Sequence, residues 1–433
     1  MIEVLTKQEL KDIGKKRGMR LIKHFLYLSL LVGLSFPANG QINSNSIYSA
    51  FGLGVPTTKS PGFLNGMAET GVALRSAYNL NTKNPAAQTA ISSPFTMMLT
   101  AGMDLSFNQF SDEDQDGFNI GGGLSHLDLW FRLTPKWTAN LGLQPYSVVN
   151  YNVLSQTFDP ITGSEYTVSD QGEGGLNQFK ISQAVTFFNR LHIGFNGLVY
   201  FGTITETELV RGLDEIGNFA VVTRNAISDV NYELGMQYVQ PLPMADIILG
   251  ATYQPGKVLN SAQEYQLETG FEVLEGDLAE ATLALPEEWN TGLAFQNQVW
   301  TVAVDGKYVK WSALNAYLDR QSSYRYQDVY GASIGLSYAK YPFKNELSLK
   351  ATHYRLGFSM ENSYLEQGGN DFLAWKASAG IGLPITQGRN QLNLSYQYSH
   401  QGRTTGNLIR ESAHTLTVSF SLRDVWFQQR KFN

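Results

Sequence analysis

From Ser93 onward, apolar and polar residues alternate in stretch after stretch, the two-residue period of a strand with one face in hydrocarbon and the other in water. The first stretch is the cleanest. Phe95, Met97, Leu99, Ala101, Met103, Leu105 and Phe107 interleave with Thr96, Thr100, Gly102, Asp104, Ser106 and Asn108, and Met98 breaks the pattern. Comparable rows run over 137–143, 179–187, 191–201, 230–238, 247–253, 289–295, 300–308, 330–338, 347–351, 373–381, 392–398 and 416–422, with a weaker one over 127–133. They predict an all-β chain of about fourteen strands.

The connections carry a second signal. Short turns fall near Pro135, Asn189, 241–243, Asn297, 342–344 and 387–390, and between them lie longer polar segments near 111–118, 154–175, 206–228, 255–286, 312–325, 357–371 and 402–411. Short turns at one end and long loops at the other are the asymmetry of a transmembrane antiparallel β-barrel in the outer membrane. Charge placement agrees. Asp104, Asp128, Arg132, Lys180, Glu233, Asp305, Lys307, Lys350 and Lys376 all fall opposite the apolar row of their strand, where they would face the lumen. Lys310, Asp328 and Arg355 fall on the outer parity, at expected strand ends where headgroups or lipopolysaccharide would solvate them. A secreted β-sandwich or propeller also alternates, but it has no need of aromatic apolar rows facing outward on every strand.

Composition fits the barrel. Of 433 residues 16% are charged and 12% aromatic, with 41 Gly and 22 Tyr, while the mean hydropathy of -0.19 looks soluble because the two faces average out. The net charge of -6 argues against nucleic acid as a partner, and the absence of cysteine excludes disulfides and thiolate metal sites. The apolar run 25–36 follows Arg20, Lys23 and His24 and ends at Pro37-Ala38-Asn39-Gly40, so residues 1–40 are expected to be a secretory leader cleaved after Gly40. That run is too short for a spanning helix. Residues 41–92 are rich in Gly, Ser, Asn and Ala with little alternation, too few for a core of their own, and are expected to fold inside the barrel as a plug, or hatch. The barrel is expected over 93–424, followed by a periplasmic tail over 425–433.

Two local features stand out. Pro145 interrupts the third strand within Leu143-Gln144-Pro145-Tyr146-Ser147; proline cannot donate to a ladder, so at Gln144, Pro145 and Tyr146 either a kink that opens the wall or a bulge filled by a water or a plug side chain is expected. Asp112-Glu113-Asp114-Gln115-Asp116-Gly117 matches the first half of a calcium loop, with Asp112, Asp114 and Asp116 as ligands, but the twelfth position is Gly123 where the bidentate Glu belongs. Both a Ca²⁺ site and a solvated external loop stay open there; no other cofactor is expected. No GxSxG occurs, and His126, His353, His400 and His414 sit in strands with no evident catalytic partners, so an enzyme is not expected.

Gly66-Met67-Ala68-Glu69-Thr70-Gly71-Val72-Ala73 followed by Asn84-Pro85-Ala86-Ala87 resembles the plug of the FadL/TodX family of hydrophobic-compound channels. Leu285-Pro286-Glu287-Glu288-Trp289 with Gly292, then Trp300, Asp305, Tyr308 and Trp311-Ser312, looks like a strand pair of the same family. The opening 47–52 and the ending 424–431 look like a Bacteroidota branch of it. The resemblance implies outer-membrane uptake of a hydrophobic or amphiphilic small molecule such as a long-chain fatty acid, with movement of the plug and sideways exit through the kinked third strand into lipid. Asn84-Pro85-Ala86 would be the turn that anchors the plug. The alternative implied by relatives in that branch is a barrel that no longer transports and serves as a subunit of an outer-membrane secretion or assembly complex.

Overall fold

The computed structural model describes residues 46–57, 61–112, 116–158, 163, 165–212, 218–269, 272–277, 283–318, 324–341, 351–367, 369, 371–405 and 409–425. The expected leader, the first residues of the expected plug, Asp114, Lys350 and the tail after Val425 lie outside them.

Fourteen antiparallel strands close into one barrel. They are β1 (Met97–Ser111), β2 (Asp116–Thr134), β3 (Trp137–Phe158), β4 (Glu165–Phe187), β5 (Leu191–Gly212), β6 (Phe219–Pro241) and β7 (Asp246–Gln254), then β8 (Glu287–Gln296), β9 (Trp300–Lys310), β10 (Val329–Lys340), β11 (Thr352–Asn362), β12 (Leu373–Ile385), β13 (Asn390–Gln401) and β14 (Arg410–Asp424). Each pairs with the next, and Met97 of β1 pairs with Asp424 of β14, so no edge is left at the closure. Closure is what lets strands cross hydrocarbon, where an unpaired backbone group has no water to turn to.

The alternation sorts side chains as expected. Leu293, Val304, Ile334, Leu356 and Phe420 are exposed on the outside, while Thr100, Asp128, Asn140, Lys180, Asn196, Asp305 and Thr417 are buried inside. Aromatic rings gather in two outer belts: Trp300 and Tyr338 stand 4.7 Å apart towards the short turns, and Tyr253 and Trp289 4.2 Å apart towards the long loops. Between the belts lipid is the solvent. Replacing Leu293 there by arginine is expected to destabilise the barrel by about 2 to 4 kcal/mol. A urea titration in liposomes reads this, and an unchanged midpoint would contradict the lipid placement.

The structure corrects three expectations. Segments 154–175 and 206–228 are largely strand, because β3 to β6 are 22, 23, 22 and 23 residues long and rise beyond the belts. Above the bilayer both faces meet water, so the ladder continues after the hydropathy alternation has ended. The sheet is extended further by Ser261–Thr269, which pairs with β6, and by Val273–Asp277 beyond it. Second, β11 is Thr352–Asn362, with Tyr354, Leu356, Phe358 and Met360 outward; the row read at 347–351 has the opposite parity. Arg355 therefore faces inward. It is buried, donates to Asn393 Oδ1 at 3.0 Å and lies 5.4 Å from the Phe63 ring. Third, Asp116 opens β2 and Gly123 pairs with Asp104, so the second half of the expected calcium loop is strand, and Ser111 Oγ donates to Asp116 Oδ1 at 2.6 Å.

At Pro145 the wall changes. Against β4 the register slips between Pro145 and Ser147, so that Tyr146 and Ser147 are both buried inside. Gly175 in β4, at φ +136°, makes room for this bulge; a Cβ there would lie 2.3 Å from the Ser147 carbonyl oxygen. Pairing of β2 with β3 ends at Leu127 and Leu143. Above that point β3 bonds instead to the N-terminal segment. Val55 and Pro56 pair with Val148 and Ser147, the Thr57 N–H donates to the Tyr146 carbonyl at 2.9 Å, and the Ser46 N–H donates to the Asn150 carbonyl at 3.0 Å.

Candidate functional site

From the Val55–Pro56 pairing the N-terminal segment runs along the inward faces of the strands, and local chemistry shapes it. A single α-turn covers Gly62–Asn65, and a 3₁₀ turn covers Pro85–Ala90. Asn84 caps that turn, its Oδ1 accepting from the Ala86 N–H at 3.0 Å, while proline at the first helical position fixes φ and lacks only an N–H that would be orphaned anyway. The other end of the same amide reaches the wall: Asn84 Nδ2 donates to the carbonyls of Val72 at 2.9 Å and Met236 at 3.1 Å. One side chain thus ties two parts of the segment to β6.

Backbone-to-backbone contact is possible because the wall is bare where the segment lies against it. A Cβ on Gly194 would sit 2.3 Å from the Pro85 carbonyl carbon, one on Gly250 2.3 Å from the Val72 carbonyl oxygen, and one on Gly357 2.0 Å from the Met67 carbonyl carbon. Real atoms never approach so closely. Several of these glycines pair across the ladder, Gly194 with Gly235, Gly250 with Gly292 and Gly335 with Gly357. Sequence reasoning missed them, although glycine at the inward parity of successive strands was a visible signal.

The inward charges divide into two groups. Three touch the N-terminal segment. Asp305 Oδ2 accepts from the Gly71 and Val72 N–H groups at 2.6 and 3.0 Å and lies 3.6 Å from Lys83 Nζ. Lys376 pairs with Glu69 at 2.7 Å, and Arg132 donates to the Ile91 carbonyl. Burial pushes the Glu69 carboxyl up, but the Lys376 and Lys83 ammonium groups outweigh it and hold the group at about 2. The rest bond within the wall: Lys307 with Glu361 at 2.9 Å, Glu233 with Asn196 at 2.7 Å, and Lys180 with Gln144 at 2.8 Å, 3.9 Å from Asp128. Asp104 faces inward, half-buried, on β1.

At the kink, polar and apolar linings meet. Gln144 donates to Gln178, which donates to the Tyr200 hydroxyl at 2.8 Å, closing a polar row at the level where β2 and β3 part. Just above, Tyr146, Val149, Leu176, Leu198, Tyr200 and Ile204 form an inward apolar cluster, completed by Leu53 of the N-terminal segment and by Leu259 and Leu285 from the long loop. Below it the bore holds a polar cavity of about 40 Å³ lined by Lys83, Gln144, Lys180 and Glu233 among others.

A closed fourteen-stranded cylinder with a greasy exterior defines an outer-membrane β-barrel. The chain belongs to the BamG family, whose model matches residues 21–433. No curated protein matches it. Among solved structures it is similar to a Pseudomonas aeruginosa FadL homologue, at 12% identity over 86% of this chain and 99% of that one, with a TM-score of 0.56. It is also similar to the Pseudomonas putida toluene transporter TodX, at 16% identity over 86% and 100% of the two chains, with a TM-score of 0.54. At these identities the likeness establishes the fold, so the FadL/TodX resemblance holds at that level. Among the described residues no cluster of three or more His, Asp or Glu could hold a metal.

Proposed function

We propose that this barrel passes hydrophobic small molecules, long-chain fatty acids among them, across the outer membrane. On this proposal the segment ahead of β1 is a plug anchored by Asn84, Pro85 and Ala86, and the ligand leaves sideways where Gln144, Pro145 and Tyr146 part β3 from β2. The observation that carries it is the position of the parting. The wall loses its ladder at Leu127 and Leu143, within the lipid-facing zone, and the apolar cluster of Tyr146, Val149 and Leu176 lies immediately behind. Lipid on one side and an apolar lining on the other are what a greasy molecule needs in order to cross without entering water. Leu53 fills that lining, so passage requires the plug to shift.

Pro145→Val restores an N–H where the ladder fails and is expected to slow uptake of a labelled fatty acid by roughly tenfold, equivalent to about 1.4 kcal/mol, in cells lacking other fatty-acid channels. Unchanged uptake would count against lateral exit. The alternative reading is a subunit of an outer-membrane secretion or assembly complex. Bound fatty acid in the purified barrel supports the channel; stoichiometric partner proteins with no bound ligand support the complex.

A further inference from the structure

A cavity that no step above uses lies at the opposite end of the bore, beside the short β6–β7 and β8–β9 turns. Its volume is about 850 Å³, within the range of roughly 300 to 1,000 Å³ typical of ligand pockets. In an outer-membrane barrel short turns face the periplasm, so this cavity opens there. Its floor is Arg75 and Gln296, and its rim carries Leu242 and Met244 on the Pro241-to-Ala245 turn.

Two groups on the floor keep bonding capacity unused. Arg75 spends two nitrogens on neutral acceptors, Gln237 Oε1 at 2.9 Å and Thr89 Oγ1 at 3.0 Å; Asp246, on the same cavity, favours its charge from a distance without a direct ion pair, so N–H groups of the guanidinium are left for a ligand. A guanidinium in such a setting is stabilised most by a carboxylate, which it can grip with two parallel bonds. Gln296 Nε2 donates to the Arg75 carbonyl at 2.7 Å, while its Oε1 is buried with no donor. That oxygen calls for an N–H or O–H. The rim supplies the third element: Met244 is 86% and Leu242 46% exposed, held out by flanking prolines. A flexible thioether on a rigid turn suits varied apolar side chains.

We propose that this cavity binds an acidic polypeptide segment presented from the periplasm, with a carboxylate on Arg75, a backbone N–H on Gln296 Oε1 and apolar side chains against Leu242 and Met244. A fatty acid has the carboxylate and the tail but no donor for Gln296. Inorganic phosphate has nothing for the rim. Only a peptide brings all three, and Asp246, which also lines the cavity, accepts a further backbone N–H. The inference does not depend on whether the barrel transports.

The test uses the purified full-length barrel in detergent and a fluorescein-labelled hexapeptide alternating Asp with Leu, followed by anisotropy. Binding is expected to weaken by about tenfold or more when the peptide carries Asn for Asp, or when the protein carries Arg75→Gln. Met244→Asp lies on an exposed turn that the fold does not need, and it should weaken binding comparably. Gln296→Leu should weaken the peptide while leaving any competition by laurate unchanged. Equal affinity for the Asp and Asn peptides, indifference to both Arg75→Gln and Met244→Asp, or stronger Arg75-dependent binding of laurate than of the peptide would each overturn the proposal. Absence of peptide binding up to about 1 mM, the weakest affinity of interest, would do the same.

Discussion

Gly357→Val is expected to drive the N-terminal segment off the wall while leaving the barrel closed. Gly357 faces inward on β11, where the backbone of Met67 and Ala68 passes so near that even a Cβ would lie 2.0 Å from a carbonyl carbon. The clashing atoms are backbone, held by the Ala68 N–H donating to Ser378 Oγ at 2.6 Å, and cannot swing aside as a side-chain tip would. Overpacking a well-packed site commonly costs about 1 to 3 kcal/mol, and a branched side chain against fixed backbone belongs at the top of that range or above it. On the other side of the strand nothing changes: β11 keeps its ladders to β10 and β12, and valine favours strand. The measurement is hydrogen exchange over 63–75 alongside heat-resistant migration of the barrel on a gel. Loss of protection in the segment with migration retained is the expected result; protection equal to wild type would show that the close packing is not as described.

Asp305→Ala attacks the same contact through charge. The carboxylate is buried, satisfies two N–H groups at once and sits 3.6 Å from the partly exposed Lys83. Removing the buried carboxylate leaves Lys83 with Glu69 as its remaining carboxylate and strands two buried donors, each worth about 1 to 3 kcal/mol. Asp305→Asn keeps one acceptor oxygen and should fall between. Exchange at the Gly71 and Val72 amides is expected to rise sharply in the alanine variant and moderately in the asparagine variant. If both stay as slow as in the wild type, Asp305 does not hold the segment.

How much of this was legible beforehand follows from the range of each interaction. Alternation is local and lipid enforces it, so the strands between the aromatic belts and the inward parity of Asp305, Lys307 and Lys376 could be read directly. Asn84 before proline and Pro145 within a strand stood out for the same reason, since each rests on one residue's own backbone chemistry; a capped turn lies at the first and a register slip at the second. Where the ladder leaves the bilayer, the hydrophobic signal stops but the hydrogen bonds do not, and the upper halves of β3 to β6 looked like loops. Arg355 was misassigned because the apolar row at 347–351 has the wrong parity for the strand that follows. The pairing of Val55 and Pro56 with β3 was invisible, because nothing in two residues announces a partner ninety positions away.

The most direct test of lateral passage exploits the absence of native cysteine. Val55 and Val148 are ladder partners, within the spacing a disulfide spans, so Val55→Cys with Val148→Cys can bolt the N-terminal segment across the parting of β2 and β3. Uptake of a labelled long-chain fatty acid is predicted to fall by about tenfold in the oxidised double variant and to recover on reduction, a difference of roughly 1.4 kcal/mol in the barrier. Equal uptake in the oxidised and reduced forms would contradict passage through that wall.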